Sequence, residues 1–564
     1  MSDTSGPAPG DDRRPGGRGG SGRDGRGGRD GAGRASRRSA GERADRGSSW
    51  SNRGGGDRSP SRAGGAPGHG RRGQARRSGA GTGARRGTRS DAPRKAALDV
   101  LRQVASSDAY ANLVLPGLLR DRGITGRDAA FATELAYGTL RLRGRYDAIL
   151  ARCTNGRPLE SLDPPVLDVL RLGAHQLLGM RVPTHAAVSE TVTLARQEIG
   201  AGPAGMVNAV LRAVSRRPLE SWLEDVAAAS TDTATRLAAT ESHPEWIVRA
   251  LHQALVANGR PADDLPALLA SHNASPAVTL VARPGLVTAE QLADEAAQAG
   301  AGELRHGRWS PQALVLAGGD PASLPAVRRA AAGAQDEGSQ LVALALAAAP
   351  VETPDLSGPS GEATTDARWL DLCAGPGGKS ALLGALAAQR GARLLANEVA
   401  PHRAQLVRQS VAGVPAGAVE VRTGDGRDLG TERAEEFDRV LVDAPCTGLG
   451  ALRRRPESRW RRSLADLAAL GPLQRELLGS ALDAARAGGV VAYVTCSPHV
   501  AETRMVVEDV LRRRPDAELM NAVPVVQGLA VEPLPGLGEG PYVQLWPDVH
   551  GTDAMFLALI RKTA

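Results

Sequence analysis

The chain has 564 residues, 41% of them hydrophobic, and a formal net charge of +8. That length exceeds one domain of roughly 100 to 200 residues and implies about three units plus tails. Residues 1–90 hold 21 Arg and no Lys against 8 acidic residues, or +13, which leaves −5 for the remainder; the folded part is therefore no uniformly basic body, and any contact it makes with RNA must come from local patches.

Residues 1–90 are Gly, Arg, Ser and Pro with almost no aliphatic side chains, too little apolar surface to offset the entropy of ordering, so a disordered tail is expected. It reads either as a sequence-tolerant RNA-binding arm or as a solubilising extension. Over 91–230 apolar residues recur three and four apart, as in Lys95–Val104, with Pro164, Pro165, Gly173 and Pro183 expected to break the run into short helices of an all-α domain. Residues 231–350 mix a helix over Glu245–Ala257 with a strand candidate at Ala277–Ala282, a small α+β module. Pro350–Asp366 is rich in Pro, Gly, Ser and Thr and reads as a loop. In the last domain, 351–564, short apolar runs at Trp369–Cys373, Arg393–Glu398, Val419–Arg422, Phe437–Asp443 and Val490–Thr495 alternate with helical stretches. That alternation predicts an α/β, doubly wound, Rossmann-like sheet with ligands at the carboxyl ends of its strands.

The chemically loaded residues fall at those strand ends. Asp371 to Ser380 is a glycine-rich strand-to-helix turn, yet Cys373 spoils a phosphate-loop spelling and Ser380 spoils a dinucleotide spelling. A nucleotide-like ligand without a pyrophosphate remains, with Glu398 at the end of the next strand to accept from ribose hydroxyls. S-adenosylmethionine satisfies both conditions, although a turn needing glycine only for packing is the alternative. Cys446 and Cys496 follow two further strands, and such a pair is more than the usual buried cysteine. A thiolate added across the 5,6 double bond of cytosine makes C5 nucleophilic, and a carboxyl near N3, for which Asp443 is the candidate, stabilises the ring charge. Leu452–Arg462 carries six Arg and Trp460, either a phosphate clamp with a stacking ring or a solvated helix face. His175 and His185 have no accompanying ligand set, and the four cysteines, Cys153 included, form neither a CxxC pair nor a metal-like spacing with histidine, so no metal and a reducing setting are expected. The longest apolar run, Leu341–Pro350, is too short to span a bilayer, and the N-terminus has no apolar leader. A soluble cytoplasmic protein follows, with no membrane partner.

Asp371 to Lys379, Asp443-Ala-Pro-Cys446 and Thr495-Cys-Ser497 closely resemble the NOL1/NOP2/Sun family of RNA cytosine-C5 methyltransferases, as do Gln335–Gln340 and His243–Trp246. Arg94–Leu98, Glu134–Gly138 and His185–Glu190 resemble the RNA-binding NusB fold. Together they imply the bacterial Fmu/Sun (RsmB-like) branch, whose substrate is a cytosine of 16S rRNA, over about residues 91–564. The resemblance implies that Cys496 attacks C6 and that Cys446 promotes release of the methylated base, with Asp443 and Lys379 at the reaction centre. It also implies that S-adenosylmethionine meets Cys373, Ala374, Gly375, Pro376, Gly377, Gly378, Lys379, Glu398, Asp425 and Asp443, Asp425 lying near the adenine. Gly338 stands where that family more often has Ala. The expected partner is 16S rRNA, bound by a monomer. A transfer-RNA methyltransferase keeps the chemistry and changes the substrate. A non-catalytic ribosome-assembly factor requires erosion of the cysteines or the turn, and neither is eroded. A nicotinamide dehydrogenase fails on the dinucleotide spelling.

Overall fold

The computed structural model describes residues 91–107, 109–352 and 366–564. The expected disordered tail over 1–90, and residues 353–365 of the expected loop, lie outside the described residues.

The region after residue 90 is helical. Its first helix, Ala92–Ser106, is started by Asp91, whose carboxylate accepts from the Arg94 N–H, and by Pro93, whose fixed φ suits a first turn. Ala97, Leu98, Leu101 and Val104 form its buried stripe. They meet Leu135, Ile149, Leu150, Val169, Leu172 and Leu211 of the helices that follow in one shared core. Pro164 and Pro165 open the helix Pro164–Leu178, and Pro183 precedes Thr184–Glu198, as their chemistry predicts. Gly173 does not break its helix. The Leu211 side chain occupies the space a Cβ there would need, at 2.6 Å, so this glycine admits a neighbouring helix and leaves its own backbone regular.

Glu245–Ala257 is a helix with the expected bounds. Strands β1 (Val278–Ala282), β2 (Leu304–His306), β3 (Ala313–Leu316) and β4 (Ala332–Ala334) form an antiparallel sheet in the order β2-β3-β1-β4.

The last region contains β5 (Arg368–Asp371), β6 (Arg393–Glu398), β7 (Val419–Thr423), β8 (Phe437–Asp443), β9 (Ala485–Thr495), β10 (Ala517–Met520), β11 (Val543–Gln544) and β12 (Phe556–Lys562). The sheet order is β10-β12-β9-β8-β5-β6-β7, and β11 pairs with β12. Strands β5 to β9 are mutually parallel, while β10, β11 and β12 join antiparallel. Both faces are covered: Leu441, Val490, Ala492 and Val494 pack with the buried helix Glu337–Ala348, whereas Val440, Val442, Val491 and Tyr493 pack with Leu477, Leu478 and Ala481 opposite. A two-residue period with both faces buried explains why these strands read as continuous apolar runs. The chain runs outward from β5 to β7 and then crosses back to β8, so the carboxyl ends of β5, β6 and β8 open on the crevice of a topological switch. Among the described residues no helix is long and apolar enough to cross a membrane.

Candidate active site at the strand ends

Strand β5 delivers Asp371 into the turn 372–377, which enters the helix Gly378–Gln389. Gly377 has φ +91°, and a Cβ there would lie 2.8 Å from the Cα of Val407, so both its left-handed backbone and its packing demand glycine. Ser380, which ruled out the dinucleotide spelling, donates its hydroxyl to Asp371 Oδ2 at 2.6 Å. Asp371 is fully buried and its Oδ1 meets no partner among the described residues. Burial pushes this carboxyl up from its ordinary 3.8 to about 7. Between those values the unfolded carboxyl loses its proton while the folded one keeps it, so this group's contribution makes stability fall as pH rises from about 4 to about 7. Asp371→Asn is expected to remove that slope. Urea midpoints should show the variant gaining on the wild type by up to about 4 kcal/mol at pH 8 relative to pH 4; an equal difference at the two pH values would show that Asp371 does not titrate this way.

Glu398, at the end of β6, is buried and accepts from the backbone N–H groups of Gly375 and Ala400, each at 3.0 Å. Its carboxylate therefore braces the glycine turn from the neighbouring strand. Asp425, just past β7, caps the short turn Gly426–Asp428 and pairs with Arg427 at 2.6 Å, and that guanidinium holds it below the usual carboxylate range. Cys373 is half-buried, and burial raises its thiol well above the ordinary value. Lys379, on the first turn of the helix, donates to Asp443 Oδ2 at 2.7 Å. Burial opposes its charge, but the attraction of and hydrogen bond to Asp443 outweigh burial and raise it.

Cys446 in the loop after β8 and Cys496 directly after β9 bring their sulfurs to 3.5 Å, as expected for residues following adjacent parallel strands. Their surroundings differ in sign. Cys496 is held below the ordinary thiol value chiefly by its hydrogen bond with Cys446, with Arg455 and Lys379 acting in the same direction against burial and Asp443. Cys446 is held well above it by that same hydrogen bond, by burial and by the carboxylates of Glu502 and Asp443. The surroundings thus favour the thiolate more at Cys496 than at Cys446.

Glu502 is a residue the sequence reading missed. Fully buried, it accepts from the Thr447 N–H at 2.7 Å, from the Thr447 hydroxyl and from Gln474 Nε2 at 3.3 Å; Gln474 also donates to the Pro445 carbonyl at 2.9 Å. Thr447 in turn lies 3.3 Å from Ser497, so one network ties the Cys446 loop to the Cys496 loop. Nothing in Ala501-Glu502-Thr503 advertises this role, because it depends on a loop more than fifty residues upstream.

The arginine run 452–462 is mostly structural, which corrects the phosphate-clamp expectation. Arg453 and Arg454 pair with Asp336 and Asp553. Arg459 is fully buried and donates to the carbonyls of Arg141, Ser242 and His272 and to Asn273 Oδ1. Arg461 donates to the carbonyls of Val104, Ser107 and Ala109, and Arg462 faces Asp466 at 3.8 Å. Trp460 packs against Gly144 and Arg143 and has no role as a free stacking ring. Burying a guanidinium is offset by the hydrogen bonds it makes, and through these carbonyls Arg459 and Arg461 tie the helical region to the loop that follows Cys446. Arg455 alone of the six is exposed. His175, buried against the Tyr146 hydroxyl at 2.8 Å, is an ordinary hydrogen-bonded histidine. Among the described residues no group of three or more His, Cys, Asp or Glu is placed to hold a metal ion.

Comparison with known proteins extends this picture. Residues 362–561 match the family described as 16S rRNA methyltransferase RsmB/F, and residues 91–216 match the NusB family. A putative methyltransferase of Mycobacterium tuberculosis strain H37Rv, Rv1407, is 52% identical over 473 residues, 84% of this chain and 97% of that one. The ribosomal RNA small subunit methyltransferase B of Pseudomonas syringae pv. tomato is 31% identical over 479 residues, 84% of this chain and 97% of its own. The crystal structure of PH0851 shares the fold at a TM-score of 0.67 and 20% identity, covering 84% of this chain and 99% of that one.

Proposed function

Because the chain belongs to the RsmB/F family and is an S-adenosylmethionine-dependent rRNA methyltransferase, we propose that it methylates C5 of one cytosine in 16S rRNA through a covalent adduct on Cys496. The observation that carries this reading is the thiol pair: two sulfurs 3.5 Å apart at the ends of adjacent strands, with surroundings that favour the thiolate more at Cys496 than at Cys446. Two adjacent thiols suit a reaction that needs a nucleophile first and a base afterwards.

The turn after β5 fits the cofactor. Gly375 and Gly377 are left-handed, Glu398 and Asp425 set carboxylates at the ends of β6 and β7, and the buried Asp371 Oδ1 at the end of β5 meets no partner among the described residues. Cys373 to Lys379, Glu398, Asp425 and Asp443 are the residues we assign to it.

Cys496 attacks C6 as the thiolate, forming the S–C6 bond, while Asp443, held by Lys379, shares a proton with N3 as charge builds on the ring. Bound S-adenosylmethionine supplies the electrophilic methyl group that the electron-rich C5 takes up. Once Cys496 is alkylated, the hydrogen bond that most strongly held the proton on Cys446 is gone. That proton passes to solvent, the Cys446 thiolate takes the C5 proton, the S–C6 bond breaks and Cys496 leaves as the thiolate. The balance is one methyl gained at C5 and one proton released. An rRNA substrate sets the reaction in the cytoplasm, and one chain supplies every group used.

The test is methylation of in vitro transcribed 16S rRNA by the purified protein with labelled S-adenosylmethionine, followed by base-resolved mapping. Label on C5 of a single cytosine is expected. Label on transfer RNA instead of the 16S transcript would overturn the substrate, and label on a position other than C5 would overturn the chemistry.

A further inference from the structure

With the other arginines of the run occupied, Arg455 stands apart. It is exposed, and its guanidinium meets no carboxylate within ion-pairing distance among the described residues. Its position is fixed from below: the Gly450 N–H donates to the Cys496 carbonyl at 2.9 Å, and the Arg455 N–H donates to Ala451 at 3.0 Å. Gly450 must be glycine for this approach, since a Cβ would lie 2.3 Å from the Ala554 carbonyl and 2.8 Å from that of Cys496. Arg455 thus rises one turn from the backbone of Cys496, close enough that its charge acts on that thiol.

The second component comes from the helical region, 345 positions upstream. Tyr110 is half-buried, and its ring centroid lies 5.3 Å from the Arg455 guanidinium and 5.4 Å from that of Arg461. Arg461 locks the preceding backbone through the Val104, Ser107 and Ala109 carbonyls, and the buried carboxylate of Glu457 accepts from the Ala111 N–H at 3.0 Å. The ring is therefore held beside Arg455, whose charge reaches the Cys496 thiol. An exposed guanidinium with no carboxylate partner among the described residues, stacked on an immobilised aromatic and set on a body whose net charge is negative, has the chemistry of a single-stranded RNA contact: cation to phosphate, and aromatic ring to base on the face the guanidinium leaves.

We propose that Arg455 and Tyr110 bind the nucleotide adjoining the target base, Arg455 turning from the ring to its phosphate and Tyr110 taking its base on the face so uncovered, so that the helical region completes the substrate site. The proposal rests on the reading above for the choice of RNA as the ligand.

The test compares wild type with Arg455→Ala, Arg455→Lys, Tyr110→Ala and Tyr110→Phe, using filter binding of the 16S transcript across a salt series alongside steady-state kinetics. Arg455→Ala is expected to weaken binding and raise KM for RNA about tenfold and to lower the slope of log Kd against log salt by about one. Arg455→Lys should restore the salt slope. Tyr110→Ala should cost about tenfold in binding, and Tyr110→Phe, which keeps the ring, should stay within about twofold of wild type. Unchanged binding in Arg455→Ala, with loss confined to kcat and to the rate of Cys496 alkylation by iodoacetamide, would mean that Arg455 serves only the thiol and would overturn the proposal. A loss in Tyr110→Phe equal to that in Tyr110→Ala, with a lowered melting temperature, would reduce Tyr110 to packing and overturn its part. Wild type that binds the transcript without labelling a cytosine would overturn the cytosine reading and leave this comparison intact; failure to bind at all would overturn both.

Discussion

Cys496→Ala is expected to lower methyl transfer to RNA by at least about 10³-fold, the scale on which losing a covalent nucleophile is felt. C5 of cytosine gains its nucleophilicity from addition at C6, and of the two thiols Cys496 is the one whose surroundings favour the thiolate, while Asp443 is engaged by Lys379. The thiol is half-buried and ends a strand whose pairing with β8 and β12 is made by backbone, so the variant should melt within a few degrees of wild type and bind S-adenosylmethionine normally. Rapid-quench transfer of labelled methyl groups measures the loss. Persistence of label above about one tenth of the wild-type rate would remove Cys496 from the nucleophile's role.

Cys446→Ala should fail at a different step. Attack by Cys496 needs only its own thiolate, which Lys379 and Arg455 still favour after the hydrogen bond from Cys446 is lost. Removal of the C5 proton needs Cys446, so the adduct forms, accepts the methyl group and is then stranded. The expected result is a protein–RNA band that survives denaturing electrophoresis, carries label from S-adenosylmethionine and vanishes in the Cys446→Ala, Cys496→Ala double variant, with turnover down by about 10³-fold or more. Losing the Cys446 donor also raises the Cys496 thiol, so band formation should fall off toward lower pH sooner than wild-type turnover does. A variant that turns over normally without a trapped band would transfer the proton step to another group.

The strand positions and the candidate cysteines were legible because a parallel sheet buried on both faces leaves an unmistakable sequence pattern. Phe437–Asp443 and Arg393–Glu398 have the expected bounds, and chemistry at strand ends follows from the geometry of such sheets. The antiparallel additions β10, β11 and β12 were not legible: β10 and β11 are too short to show alternation, and the edge at which they pair is decided by tertiary contact. Gly173 was misread because a glycine that admits a neighbouring helix is spelled like one that ends its own.

The arginine run separates the two kinds of information most clearly. Residue types and spacing by themselves determined that a glycine turn, two strand-end cysteines and a nearby carboxylate would gather in one crevice, since each is fixed by local backbone geometry and strand order. Local sequence contains nothing to distinguish Arg455 from Arg453, Arg454, Arg459, Arg461 or Arg462. Which guanidinium is buried against carbonyls, which is neutralised by Asp336 and Asp553, and which is left facing the thiols beside Tyr110 depends on partners one hundred to more than three hundred residues away. Only the tertiary structure decided that, because the environment of a charge is set by what the whole fold packs around it.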